Sequence, residues 1–121
     1  MMPIPARRLS RERNIVDKKI AEKVLARANG YCEFCGFSGE LILHHRKLRS
    51  QGGKDEVCNL VAIHNKCHNM GTKSIHNRPK DAQVKGFIVP SWADPRTYPI
   101  HIYGDKVVRL SEEGTYEKLE G

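Results

Sequence analysis

Apolar residues change their spacing along the chain, and each change predicts an element. Val16, Ile20, Val24 and Ala28 recur every four residues, which places one apolar stripe on a helix and leaves the charged positions outward. That helix is expected to begin with Asn14 as cap and Asp17 three residues on, and to stop at Asn29-Gly30. Glu40-Leu41-Ile42-Leu43-His44-His45 reads as a short strand, and Asn59-Leu60-Val61-Ala62-Ile63, beyond a polar loop with Gly52-Gly53, reads as its partner. A third element is expected from near Asn65 toward Asn77, weakened as a continuous helix by Gly71, Thr72 and Ser74 and ended by Pro79. Gly86-Phe87-Ile88-Val89 predicts another strand, and Ile100–Tyr103 with Lys106–Leu110 flank Gly104-Asp105 as a hairpin.

These elements suit an α+β domain. At 121 residues, with 39% hydrophobic and 7% aromatic residues, the chain can bury one modest core and needs a staple. The net charge of +7 points to a polyanionic partner, and its distribution localises that face. Residues 1–80 hold 16 Lys and Arg against 7 Asp and Glu, whereas residues 81–121 hold 5 against 7. Three segments follow: a flexible basic arm over 1–13 with Arg7, Arg8, Arg11 and Arg13, a domain over 14–80, and a C-terminal extension over 81–121 carrying the hairpin, with Trp92 and Tyr103 near its apolar parts. The N-terminus has no apolar run of a secretory signal, and no stretch is apolar enough for a membrane span. The expected setting is therefore cytoplasmic, where four cysteines are reduced and available to a metal rather than paired as disulfides.

Cys32-Glu33-Phe34-Cys35 brings two thiolates to one side of a turn, and His64-Asn65-Lys66-Cys67 repeats the spacing with an imidazole in place of one sulfur. Together Cys32, Cys35, His64 and Cys67 make a tetrahedral set suited to a structural zinc. Cys58 competes with His64 as fourth ligand, and is otherwise a small buried hydrophobe. Three histidines remain near these elements. His44 and His45 are adjacent on a strand, so their side chains diverge, and one ligand and one base is their natural division of labour. His68 follows Cys67 directly, and with His44 it supplies half of an open metal site.

Leu43-His44-His45-Arg46, Gly52-Gly53, Asn59-Leu60-Val61 and Cys67-His68, taken in order, resemble the zinc-knuckle form of the HNH endonucleases. The resemblance covers about residues 22–80, and the named His, Asn and His of the family correspond to His45, Asn59 and His68. It implies a ββα-metal, or His-Me finger, core in which a hairpin and a helix clasp one divalent cation (Mn²⁺, Ni²⁺, Co²⁺ or Mg²⁺). It further implies that His44 and His68 bind that cation, that His45 is the general base, and that Asn59 holds the hairpin so that His45 is oriented. Two departures stand out. The family commonly has a second Cys-x-x-Cys where this chain has His64-x-x-Cys67, and many relatives place a histidine four residues after the last motif histidine, where this chain has Thr72. The next histidine is His76, which eight residues of unbroken helix would carry about 12 Å along the axis from His68. Either the chain breaks there and His76 returns to the metal or the scissile phosphate, or His76 is an exposed helix-end residue.

The implied chemistry is hydrolysis of DNA phosphodiester bonds, one strand at a time, by a bacteriophage or bacterial type of enzyme acting as a monomer or a dimer. Arg46, Lys47, Arg49 and Lys66 lie close in sequence to the histidines and are candidates for flanking phosphates, with the Arg7–Arg13 arm as a further contact. Imidazole ligands predict better use of manganese, cobalt or nickel than of magnesium. Efficient use of magnesium would require an oxygen ligand, for which Asp55 and Glu56 are the nearest candidates. A zinc-stabilised nucleic-acid-binding module without catalysis also explains the charge and the knuckle, as does, in part, a zinc ribbon that docks on a protein. Neither explains the three histidines and Asn59 at the nuclease positions.

Overall fold

Asp17, and not a residue upstream of it, starts the first helix. In a computed structural model that describes residues 16–70, 74–104 and 106–119, its carboxylate accepts the Lys19 N–H at 2.8 Å and helix α1 runs over Lys18–Ala28. The expected cap, Asn14, lies outside the described residues, as do the basic arm, Gly71, Thr72 and Asp105. The helix ends on Asn29 in the left-handed conformation, φ 54°, followed by Gly30. Val24 and Ala28 of the expected stripe are fully buried, with Ala21 and Leu25 beside them. Arg27 departs from the expected outward charge. It is buried and donates to the Glu33 carboxylate at 2.7 and 2.9 Å and to the Val57 and Leu60 carbonyls.

Strands β1 (Ile42–His45) and β2 (Leu60–Ile63) pair antiparallel, with His44 opposite Val61 and His45 opposite Leu60. Helix α1 packs on β2, and the loop between the strands carries two short 3₁₀ turns. Gly53 in that loop is obligatory. A Cβ there would lie 1.8 Å from the Lys47 carbonyl oxygen, so only glycine lets the loop close on itself. After β2 the expected long third element is a single π-helical turn, Lys66–Met70.

Pro79 opens helix α2 (Pro79–Val84) where the sequence pattern made it a stop. Its missing N–H falls at the first helical position, where no partner is needed. Residues 86–89 are not a strand; Phe87 and Val89 insert into the interior from an irregular segment that is tied down by Val89 N–H to Arg46 O at 2.8 Å. The C-terminal hairpin forms as expected between β3 (Ile100–Ile102) and β4 (Lys106–Leu110), and a third strand, β5 (Tyr116–Lys118), continues the sheet. Ile100, Ile102, Val108 and Leu110 join Val24, Leu60, Ile63 and Phe87 in one buried cluster. The architecture is thus mixed helix and sheet, with the extension packed into the same core as the hairpin. Among the described residues no helix is long and apolar enough to cross a membrane.

Candidate functional site

Two groups of metal-ligating side chains lie around the turn that follows β2. Cys32, Cys35, His64 and Cys67 bring their ligand atoms within 4.8 Å of one another. The Cys32 and Cys67 sulfurs are 3.8 Å apart, and His64 Nδ1 lies 3.3 Å from Cys35 Sγ and 3.9 Å from Cys67 Sγ. Zinc with Zn–S bonds of about 2.3 Å needs sulfurs about 3.8 Å apart, so the donor set and its spacing fit a structural zinc. The supporting bonds agree. His64 Nε2–H donates to the Ser38 carbonyl at 2.9 Å, which leaves Nδ1 as the lone-pair nitrogen. The backbone N–H groups of Cys35 and His64 point at Cys32 Sγ. Gly39, at φ 141°, makes room for the ring, because a Cβ there would lie 2.9 Å from His64 Nε2. Burial raises the Cys32 and Cys67 thiols above their ordinary range, and the crowded sulfurs add to the effect in both. A cation among them would reverse that balance.

Cys58 is not in this set. It is buried against Glu112, whose carboxylate accepts its backbone N–H at 2.8 Å, and its thiol is pushed up to about 12 by burial and by that carboxylate. Glu33, a spacer in the sequence pattern, proves structural. It is fully buried and accepts from Arg27, from the Ala62 N–H at 2.9 Å and from the Tyr116 hydroxyl at 2.5 Å, tying the knuckle to β2 and β5.

The second group is His44, His68 and His76, whose ligand nitrogens also lie within 4.8 Å of one another. His44 stands on β1, buried, and donates Nε2–H to the Phe87 carbonyl at 2.8 Å, so its lone pair is on Nδ1. Burial lowers its pKa to about 3, only partly offset by that carbonyl, and the ring is neutral and able to ligate at neutral pH. His68 and His76 face each other with Nε2 atoms 3.1 Å apart. The return of His76 has a backbone cause. Ile75 N–H bonds to Cys67 O at 2.9 Å and His76 N–H to His68 O at 3.1 Å, so the chain leaves and comes back beside itself instead of climbing a helix. Burial is graded: His44 is inside, His68 is half-buried and His76 is exposed.

His45 points elsewhere. Its Nε2–H donates to Asp55 Oδ1 at 2.7 Å, and Asp55 also accepts from Arg49 Nε and Nη2, at 2.9 to 3.2 Å. Burial opposes ionisation of Asp55, but the hydrogen bonds from His45 and Arg49 outweigh it and hold the carboxyl below its ordinary range. Asp55 entered the sequence reading only as a candidate oxygen ligand; the polar loop gave no sign that it reaches back to His45. Asn59 is fully buried and closes the same loop. Its Oδ1 accepts the Lys47 N–H at 2.7 Å, and its Nδ2 donates to the Lys47 and Lys54 carbonyls at 3.0 and 2.9 Å.

The four basic residues expected on phosphate separate. Arg46 is a correction. It is buried, with its nitrogens donating to the Gly86, Cys58, Pro95 and Tyr98 carbonyls at 2.7 to 3.0 Å, and burial lowers its pKa to about 10. It fastens the extension to the hairpin, and at 1% exposure it is not available to a phosphate. Lys47 donates to the Ala93 carbonyl at 3.0 Å, Arg49 pairs with Asp55, and Lys66 is exposed on the turn between the two clusters.

A closed four-donor cluster beside an open three-imidazole cluster is an arrangement that fits one structural and one chemically accessible cation. Residues 32–74 match the family model described as HNH endonuclease. The HNH segment holds both motif histidines, Asn59 and the complete cysteine–histidine set, and supports nuclease-type activity with a metal site. His76 and the extension lie beyond it. No curated protein and no solved structure gives a significant match.

Proposed function

We propose that the chain hydrolyses DNA phosphodiester bonds, with His44, His68 and His76 holding a catalytic divalent cation, His45 as general base and the cysteine–histidine cluster holding a structural zinc. On this reading the β1–β2 hairpin and the turn after it serve as a ββα-metal scaffold. The observation that carries the proposal is the convergence of three imidazoles from separate parts of the chain, one of them His44, the chain neighbour of His45, around the segment that matches the HNH model.

A divalent cation bound there supplies positive charge to the scissile phosphate and to the departing 3′-oxygen. The chain's own residues do the rest. The Asp55 carboxylate accepts a hydrogen bond from His45 Nε2–H, so Nδ1 is the basic nitrogen of that ring. It accepts a proton from the water that attacks phosphorus as the P–O3′ bond breaks. Asn59 keeps the loop closed through both its amide and carbonyl groups, which fixes the distance from His45 to Asp55. The graded burial of the three imidazoles leaves one side of the cluster open to a phosphate.

Supercoiled plasmid incubated with the zinc-loaded protein tests the proposal. We expect conversion to nicked circles, with Mn²⁺, Co²⁺ or Ni²⁺ acting at lower concentrations than Mg²⁺, since imidazole is a poor ligand for magnesium. Plasmid that is bound but stays supercoiled with every one of these cations would show a binding module instead.

A further inference from the structure

The C-terminal extension lies outside the HNH segment, yet one stretch of it forms a wall of a pocket whose other wall is the β1–β2 loop. This pocket, about 470 Å³, opens between the β1–β2 loop, with Lys47, Lys54 and Glu56, and residues 92–96, with Trp92 and Arg96. Its walls are tied together. Lys47 Nζ donates to the Ala93 carbonyl at 3.0 Å, Arg96 pairs with Glu56 at 3.1 Å, and the buried Arg46 donates to the Pro95 and Tyr98 carbonyls. Two of the pocket's lining residues, Lys54 and Glu56, flank in the chain the Asp55 that bonds His45.

Trp92 is the chain's single tryptophan, and it is 78% exposed on this wall, with a T-shaped contact to Tyr98 at 6.5 Å. The lining sets three cations, Lys47, Lys54 and Arg96, against two carboxylates, Glu56 and Asp94, so the exposed indole offers a π-face next to net positive charge. Those are the two elements that hold a nucleotide, the face for its base and the cations for its phosphate. The charged lining disfavours an apolar protein segment. Duplex DNA does not suit it either, because each paired base is covered on both faces by its neighbours and presents only an edge in the groove.

We propose that this pocket is a subsite for an unpaired nucleotide of the DNA strand, stacked on Trp92 with its phosphate near Lys47 and Lys54. The identity of the ligand as nucleic acid rests on the nuclease reading above. The subsite would direct the enzyme toward strands that are single, frayed or bulged beside the scissile phosphate.

Because Trp92 is the sole tryptophan, its fluorescence reports this pocket alone. The full chain, with no divalent cation added, is titrated with a single-stranded DNA oligonucleotide and with the duplex of the same sequence. We expect the single strand to quench Trp92 at concentrations at least tenfold lower than the duplex. In parallel, the anisotropy of a labelled single strand should report an affinity about tenfold lower for Trp92→Ala, within the range for one base stacked on an aromatic ring, with Trp92→Phe recovering most of the loss. Equal quenching by both forms, or a Trp92→Ala variant that binds the single strand like the parent, overturns the proposal. If the same preparation then nicks plasmid, only the pocket assignment fails. If it neither binds DNA nor nicks plasmid, the nuclease reading fails with it.

Discussion

Cys67 and His68 are neighbours in the chain, yet they serve different clusters, and the two clusters are built on opposite plans. The cysteine–histidine set has four donors, two of them buried, with backbone N–H groups aimed at a sulfur and a glycine cut to the shape of the His64 ring. Its ligands come in two pairs of fixed spacing, so a cation there joins the turn after α1 to the turn after β2. The three-histidine set draws one ligand from a strand, one from the turn and one from a segment that returns after residues 71–73, and its burial falls from His44 to His76. A closed site holds the fold, whereas an open one exchanges ligands. The same turn of chain supports both because successive residues on it face different ways.

The strongest way to break this contrast is to remove a ligand from the closed set. Cys67→Ser is expected to abolish zinc binding and unfold the domain, since a structural zinc supplies on the order of 10 kcal/mol to a small domain. Zinc content and far-ultraviolet circular dichroism of the purified variant check it. A variant that keeps its helix signal without zinc would show that the core of Val24, Leu60, Ile63 and Phe87 stands alone.

Substituting the proposed base should do the reverse. His45→Ala is expected to keep one zinc per chain and the parent fold while plasmid nicking slows by about 10²- to 10⁴-fold, the usual worth of a positioned proton acceptor. Nicking at the parental rate would move the role to another histidine.

A smaller effect sharpens the assignment of Asp55. Asp55→Asn replaces the carboxylate that accepts from His45 at 2.7 Å, and is expected to slow nicking by about 10- to 100-fold, the usual cost of losing an orienting partner of a functional histidine. Since Asp55 also pairs with Arg49, a purely structural role has to be separated. In a His45→Ala background the Asp55→Asn change should cost almost nothing further if it acts through His45, and its full cost if it merely supports the loop.

Fixed spacing made the closed cluster legible in the sequence, because Cys32-x-x-Cys35 and His64-x-x-Cys67 constrain their own geometry. The hairpin was legible for a similar reason, through two short apolar runs around a glycine-containing loop. What escaped depends on distant partners. Arg46 looked like a phosphate contact beside the histidines, but the carbonyls that enclose it come from Cys58, Gly86, Pro95 and Tyr98. Arg27 looked outward for want of any local sign of Glu33. Pro79 reads equally as a stop or as a first helical residue, and the packing of Ala82 into the core selects the second. The irregular course of Gly86–Val89 follows from its anchor to the Arg46 carbonyl, and Tyr116–Lys118 carries too little apolar pattern to announce a strand.

The smallest expected effect concerns the cysteine left out of both clusters. Cys58 is buried outside the knuckle, and both its backbone N–H and its thiol bond to the Glu112 carboxylate. Cys58→Ala keeps that backbone bond and removes one sulfur from a packed site, which should cost about 1 kcal/mol, lowering the melting temperature by a few degrees. Zinc stoichiometry should stay at one per chain. In His64→Ala, by contrast, the nitrogen 3.3 Å from Cys35 Sγ is gone, and only three sulfurs remain for the cation. Water can complete that shell, so His64→Ala should still take up zinc but release it to a chelator far faster than Cys58→Ala does. Measuring zinc transfer to a colorimetric chelator on the two variants side by side separates the assignments. Rapid release from Cys58→Ala with slow release from His64→Ala would exchange the two residues, and would require the loop between Glu56 and Leu60 to carry Cys58 away from Glu112 and into the knuckle.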